Sequence, residues 1–166
     1  MNVNLNLPVI ITSSFLIILY ILVPFTMEYC QTGLSYSILR VFSHQNLQHL
    51  MFNLFAFINI SNNLVNLIGI QRFSYLLIGA SVLDILTDWI IHGRFVSSCS
   101  VGFSGVVYAL LAYLTLSIGQ LSGDGYGPVI TNLGILLLGD MTRPGISVMG
   151  HSLGALIGGL LFFLSV

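Results

Sequence analysis

The chain alternates long apolar runs with short polar connections, and this pattern predicts six membrane-spanning helices. A helix that crosses a bilayer needs about 20 consecutive, mostly apolar residues. The predicted spans are 8–25, 47–68, 73–91, 104–121, 129–139 and 150–166, of which the fifth is short for a bilayer. Gly69–Arg72 and Ser122–Pro128 are predicted to be turns. We therefore expect an all-α polytopic membrane protein, a six-transmembrane-helix bundle that forms one domain over residues 1–166.

Four polar side chains fall on one side of this predicted bundle. Alternating topology brings the N-terminal ends of spans two, four and six to a common face. His49 and Asn53 lie in the first turns of span two, Ser104 opens span four and His151 opens span six. His49 and Asn53 are four residues apart and share one helix face. We expect all four side chains to gather at a similar depth.

These residue types suit a serine nucleophile. A serine hydroxyl reacts poorly until a base removes its proton, and a neutral imidazole such as that of His151 can do so near pH 7. The first backbone N–H groups of span four lack helical partners, and the positive end of a helix favours an anion. His49 and Asn53 can also donate hydrogen bonds to an oxyanion.

Small residues predict a close contact between spans four and six. The Gly-xxx-Gly-xxx-Gly pattern of span six is a common device for packing two membrane helices together. Such a contact would bring Ser104 within hydrogen-bond reach of His151, and Tyr108, four residues after Ser104, could pack on the imidazole. The small residues on the two spans are Gly105, Ala109, Ala112, Gly150, Gly154 and Gly158.

Three motifs resemble the signature of one family, the rhomboid intramembrane serine proteases. The matching stretches are Gly102-Phe103-Ser104-Gly105, which resembles the GxSG motif; His44-x4-His49-x3-Asn53, which resembles the second-helix motif; and Gly150-His151-x2-Gly154-x3-Gly158, which resembles the last core helix. Their order and spacing match the family over about residues 8–166.

The resemblance implies a rhomboid-like bundle and a role for each site residue. Ser104 would be the nucleophile and His151 the general base, as a dyad with no acidic third member. His49 and Asn53 would line the oxyanion site with the backbone N–H of Ser104, and Tyr108 would stack on His151. The glycines that support this arrangement are Gly102, Gly105, Gly150 and Gly154.

The implied activity is that of an intramembrane serine endopeptidase, since the family cleaves transmembrane helices of other proteins near their outer ends. The alternative is a catalytically inactive relative that binds membrane helices, without cutting them, for trafficking or degradation. The chain also departs from the family pattern. Tyr36-Ser37 stands where the first loop usually has Trp-Arg, Val65 stands where a glutamate is common, and the fifth span, which helps to gate substrate entry in the family, is truncated.

Composition narrows the partners. Only 5% of residues are charged and none is lysine, against about 25% charged in average soluble domains. Composition therefore predicts contact with the lipid bilayer and no nucleic-acid partner, while the resemblance implies transmembrane protein substrates. No cofactor or metal is expected, because a zinc site formed by His44, His49 and His151 would lack the usual His-Glu-x-x-His pattern.

Three further features leave alternatives open. Ser152 lies in a G-x-S-x-G pattern, but the hydrolase elbow needs a preceding strand and a later acid and histidine, which the chain lacks. Asp84, Asp88 and His92 form a stripe on span three, which fits either a proton or ion path or the hydrated end of a helix. Cys30 and Cys99 could pair if the side on which they lie is oxidising. These polar residues are Ser152, Asp84, Asp88, His92, Cys30 and Cys99.

The arginines conflict with the resemblance over orientation. Arg40, Arg94 and Arg143 lie on the face of the proposed site and Arg72 lies opposite, so the positive-inside rule would place that face in the cytosol. The resemblance places it on the extracytoplasmic or lumenal side. We expect the latter, because four arginines are a weak basis for a charge rule.

Overall fold

The computed structural model describes residues 6–92, 99–123, 125–142 and 146–165, and this part of the chain is helical with no β-strand. A short 3₁₀ turn at Met27–Cys30 accompanies the helices. The helices are α1 (Leu7–Leu22), α2 (Leu34–Phe42), α3 (Leu47–Ile91), α4 (Ser104–Ser122), α5 (Gly127–Met141) and α6 (Val148–Ser165). The predicted all-α bundle is confirmed.

Helix α3 contains two of the predicted spans, and the chain reverses at Gly69. A straight helix of 45 residues would be about 68 Å long. Asp88, near its C-terminal end, nevertheless bonds to Arg40, which lies in the helix directly before its N-terminal end. Gly69 has φ 81° and ψ 159°, a backbone conformation that glycine adopts readily. The predicted turn at Gly69–Arg72 is therefore a break at one residue.

The lengths of the helices fit a membrane protein. Helices α3, α4 and α6 are long and apolar enough to cross a bilayer, whereas α1 and α5 are apolar but shorter. Large apolar side chains such as Leu22, Phe55 and Leu164 are exposed on the outer faces. Large exposed apolar side chains of this kind fit a surface that faces lipid. Helix α5 extends two residues beyond each end of the predicted span 129–139.

Helix α4 is the centre of the bundle, packed against α3, α5 and α6, with its most extensive contact to α6. The two helices approach so closely that a methyl group on Gly154 would overlap the backbone carbonyl of Gly105. A methyl group on Gly158 would overlap the carbonyl of Ala109 in the same way. The predicted close contact of these two helices is confirmed, and backbone atoms form its centre.

The segment between α1 and α3 is more structured than the plain connection that the sequence predicted. Its helix α2 is amphipathic and buries Ser37, Arg40 and Val41. The Arg40 guanidinium is only 1% exposed and pairs with Asp88 at 2.6 Å. It also donates to the carbonyls of Tyr29 and Gln31 at 2.6 and 2.7 Å. Arg40 lies about one turn beyond Tyr36-Ser37, where the family's Trp-Arg was expected.

A disulfide joins Cys30 in this segment to Cys99 before α4. The bond closes a loop with a sequence separation of 69 residues, and loops of this size gain about 4 kcal/mol in the chain-entropy account. The imidazole of His92 contacts the Cys30 carbonyl oxygen through Nε2 at 2.8 Å. The first connection is thus fastened to the end of α3 and to the segment that leads into α4.

The glycine contact can be tested with Gly158→Ala. The added methyl group must push α6 away from the Ala109 carbonyl, and overpacking of this kind costs about 1–3 kcal/mol. Gly134→Ala in α5 is the matched control, because its methyl group would meet no atom within 4 Å and alanine favours a helix by up to about 1 kcal/mol. We expect a lower unfolding temperature in detergent for Gly158→Ala alone; equal unfolding temperatures for both variants would contradict this packing.

Candidate active site

The loop before α4 places Ser104 at the first position of that helix. Gly102 has φ 123°, and its N–H donates to the Arg40 carbonyl at 2.8 Å. A methyl group on Gly102 would lie 2.7 Å from Cε1 and Nε2 of His49. Glycine is therefore required here both by the backbone conformation and by the neighbouring imidazole. The first backbone N–H groups of α4 point out of the helix end without helical partners.

His49 and Asn53 lie in the first turns of α3, as predicted. The Asn46 side chain caps this helix by accepting from the His49 N–H at 2.8 Å. The buried Asn53 amide donates to the His49 carbonyl at 3.0 Å, and an amide nitrogen has a second hydrogen to donate. Helix α3 also packs against α6. The structure thus brings α3 to the same site as α6.

His44 supports His49 from the loop before α3. Their rings meet edge to face with centroids 5.1 Å apart. His44 is 1% exposed. Burial, and secondarily the charge of His49, lowers the pKa of His44 to about 4. His44 is therefore neutral at pH 7 and packs against His49 as an uncharged ring.

His151 is held on two sides. The Tyr108 ring stacks on the imidazole with centroids 4.2 Å apart and planes 16° apart, which confirms the predicted contact. Nδ1 of His151 lies 2.7 Å from Oδ2 of Asp140, and the Tyr108 hydroxyl donates to the same oxygen. His151 and Asp140 are 8% and 6% exposed. A stacking ring and a buried carboxylate together fix the plane of the imidazole.

The sequence analysis did not predict a carboxylate beside His151, and the Ser104–His151 dyad stays a prediction. The sequence placed Asp140 in a loop, whereas α5 continues to Met141 and carries Asp140 in its last turn. One signal was available. The odd-numbered spans end on the face where the even-numbered spans begin, so an acid at the end of span five belongs at the depth of His151.

Ser104 and His151 lie on facing helices, but no hydrogen bond joins them among the residues that the structure describes. Ser104 and His151 lie at a similar depth, because Gly105, the residue after Ser104, contacts Gly154, which lies one turn after His151. Catalytic hydrogen bonds are often long without substrate and tighten in the complex. The Ser104–His151 hydrogen bond stays a prediction.

A cavity of about 50 Å³ lies beside Ser104, which is enough room for a few water molecules. Its walls include Ser104, Gly105, Gly150, Ser147, Asp84 and Asp88. A methyl group on Gly105 would overlap the Asp84 carboxylate, so this glycine allows the acid to approach α4. Gly150 contacts the hydroxyl groups of Ser147 and Ser100. The cavity therefore gives water a place next to the serine.

The stripe on span three has structural partners at two of its three positions. Asp88 pairs with Arg40 and His92 contacts the Cys30 carbonyl, while Asp84 borders the cavity.

The arginines that suggested a cytosolic site do not all lie on the surface of the described structure. Arg40 is buried in the ion pair, and Arg94 and Arg143 lie outside the described residues. Arg40 is consequently an internal structural charge rather than a surface charge that reports topology.

Comparisons with known proteins agree with the fold. A family model described as "Rhomboid domain" matches residues 31–166. A protein of Acanthamoeba polyphaga mimivirus, named "Putative rhomboid protein L523", is 32% identical over 123 residues. That match covers 73% of this chain and 69% of the viral protein.

Proposed function

The chain belongs to the rhomboid family, and on that premise we propose that it is an intramembrane serine endopeptidase that cleaves transmembrane segments of other proteins. Family membership and the apolar helices make it an integral membrane protein in contact with the lipid bilayer. The observation that carries the proposal is the fixed imidazole of His151, stacked on Tyr108 and bonded through Nδ1, on the helix that packs against the Ser104 helix. We assign the whole chain to one domain.

In the proposed reaction His151 Nε2 takes the proton of Ser104 Oγ while Oγ bonds to the carbonyl carbon of the substrate. The carbonyl oxygen becomes an oxyanion, and its charge is stabilised by donors that are already in place. Those donors are the Ser104 N–H at the positive end of α4, the Asn53 amide and the His49 imidazole. The imidazolium of His151 then protonates the leaving amine, and the peptide bond breaks.

Hydrolysis of the acyl group bound to Ser104 completes the proposed reaction. With His151 again neutral, it removes a proton from a water molecule, whose oxygen attacks the acyl carbon bound to Ser104. Collapse of the second tetrahedral intermediate releases the carboxylate product and returns the proton to Ser104 Oγ. The cavity beside Ser104 supports this step, because hydrolysis at membrane depth needs a local supply of water.

The serine assignment can be tested in proteoliposomes with a fluorescent transmembrane substrate. Ser104→Ala should lower cleavage at least about 10³-fold, as loss of a serine nucleophile does in other serine proteases. Ser152→Ala is the matched control, because it removes the serine of the competing G-x-S-x-G pattern in α6 and should keep cleavage. Equal cleavage by Ser104→Ala and the parent would contradict the protease. A folded parent that binds the substrate without cutting it would favour an inactive relative.

We further propose that the site faces the extracytoplasmic or lumenal side. Disulfides persist in oxidising compartments, and the Cys30–Cys99 bond lies at the site end of the bundle, five residues before Ser104. Arg40, one of the arginines that suggested a cytosolic face, is buried in an ion pair. The disulfide therefore outweighs the arginine count.

Protease accessibility tests this orientation. A cleavage sequence inserted after Gly123, at the end of α4 opposite Ser104, should be protected in right-side-out vesicles and cut after permeabilisation. The same sequence inserted after Met27, an exposed residue of the site side, is the matched control and should be cut in intact vesicles. The reverse pattern would place the site in the cytosol.

A further inference from the structure

We propose that Asp140 is a positioning residue for His151, which sets the tautomer and the orientation of the base in the proposed Ser104–His151 pair. The inference rests on the proposed function, because it assigns how the base of that reaction is prepared. It starts from the 2.7 Å contact between Nδ1 of His151 and Oδ2 of Asp140. Both residues are buried.

The location of Asp140 points to a role beyond stability. A buried carboxylate is costly unless it is hydrogen-bonded, and the C-terminal end of a helix, where Asp140 lies in α5, is unfavourable for an anion. The two donors of Tyr108 and His151 meet at one of its oxygens. Helix α5 buries only Val129 and Asp140. The main polar attachment of this end of α5 is therefore made to the proposed base.

The contact determines which nitrogen of His151 is the base. An ionised carboxylate can only accept hydrogen bonds, so Nδ1 must carry the hydrogen and Nε2 keeps the lone pair. That is the tautomer a base needs if Nε2 is to take the proton of Ser104 Oγ. When the proton arrives, the imidazolium also gains a neighbouring negative charge that stabilises it.

The ring and the hydroxyl of Tyr108 have separate roles in this arrangement. Its ring holds the imidazole plane, while its hydroxyl donates to Oδ2 of Asp140 and so orients the carboxylate. Tyr108→Phe keeps the ring and removes that hydrogen bond. We expect it to lower reactivity less than Asp140→Asn, which removes the charge and allows the wrong tautomer.

The tautomer of His151 distinguishes positioning from simple stabilisation. Among the described residues, Asp140 bonds to Nδ1 of His151 and Tyr108 stacks on its ring. Asp140→Asn removes the charged acceptor and allows the hydrogen to move from Nδ1 to Nε2. A merely structural contact would leave the tautomer unchanged.

The experiment measures the rate at which a fluorophosphonate labels Ser104 in the full-length protein, together with the tautomer of His151 by nitrogen NMR. Asp140→Asn should label about 10²- to 10⁴-fold more slowly than the parent, as loss of the triad acid does in serine proteases, and should lose the hydrogen at Nδ1. Asp140→Glu should recover part of the rate. Asp88→Asn, which breaks the buried pair with Arg40, is the destabilising control and should lower the unfolding temperature without changing the tautomer of His151.

Labelling of Asp140→Asn within about threefold of the parent rate, with the hydrogen of His151 still at Nδ1, would overturn the proposal. A second measurement needs no variant to fold: nitrogen NMR of histidine-labelled parent protein should show His151 protonated at Nδ1, and a hydrogen at Nε2 would overturn the proposal equally. A parent that fails to label at Ser104 would contradict the proposed function itself, while the tautomer of His151 would still decide whether Asp140 is its partner.

Discussion

The backbone contact between α4 and α6 fixes the relative position of everything in the site. Gly154 rests on the carbonyl of Gly105 and Gly158 on that of Ala109, so α6 cannot slide along α4 without steric overlap. Ser104 lies one residue before the first contact on α4, and His151 lies three residues before it on α6. A side-chain contact could adapt to a shift of this kind, but a contact between backbones cannot. The depth of the serine relative to the histidine follows from these glycines.

The other helices pack around α4 and α6 and position further residues of the site. Helix α3 brings His49 against Gly102, and the Arg40–Asp88 pair and the Cys30–Cys99 bond hold the preceding connection in place. Helix α5 is attached more lightly, and its end carries Asp140. A movement of that end away from α6 would withdraw the carboxylate from His151. In the proposed mechanism, the position of α5 and the readiness of the base are therefore linked.

Much of this arrangement could be predicted because its signals are short and periodic. The glycine spacing on α6 indicates a close helix contact, and the four-residue interval from Ser104 to Tyr108 places the ring on the face of the serine. The alternating direction of the spans predicts that His49 and His151 lie at the same end of the bundle as Ser104. These inferences need only helix geometry and the direction in which each span crosses.

The features that could not be predicted from the sequence lack short, periodic signals. Asp140 was assigned to a loop because the apolar run of span five ends before it, and helix ends are uncertain by one or two residues. Helix α2 is too short to give a membrane signal, and the burial of Arg40 depends on Asp88, 48 residues away. The disulfide depends on the compartment as well as the sequence, so Cys30 and Cys99 could only be left as a possible pair.

The most direct test of the central claim, that the α4–α6 contact assembles one serine site, is an experimental structure of the protein treated with a fluorophosphonate. The account predicts a phosphorus–oxygen bond at Ser104, a phosphoryl oxygen directed at the Ser104 N–H, Asn53 and His49, and Asp140 still bonded to His151. An adduct at another serine, or a phosphoryl oxygen facing away from α3, would contradict it.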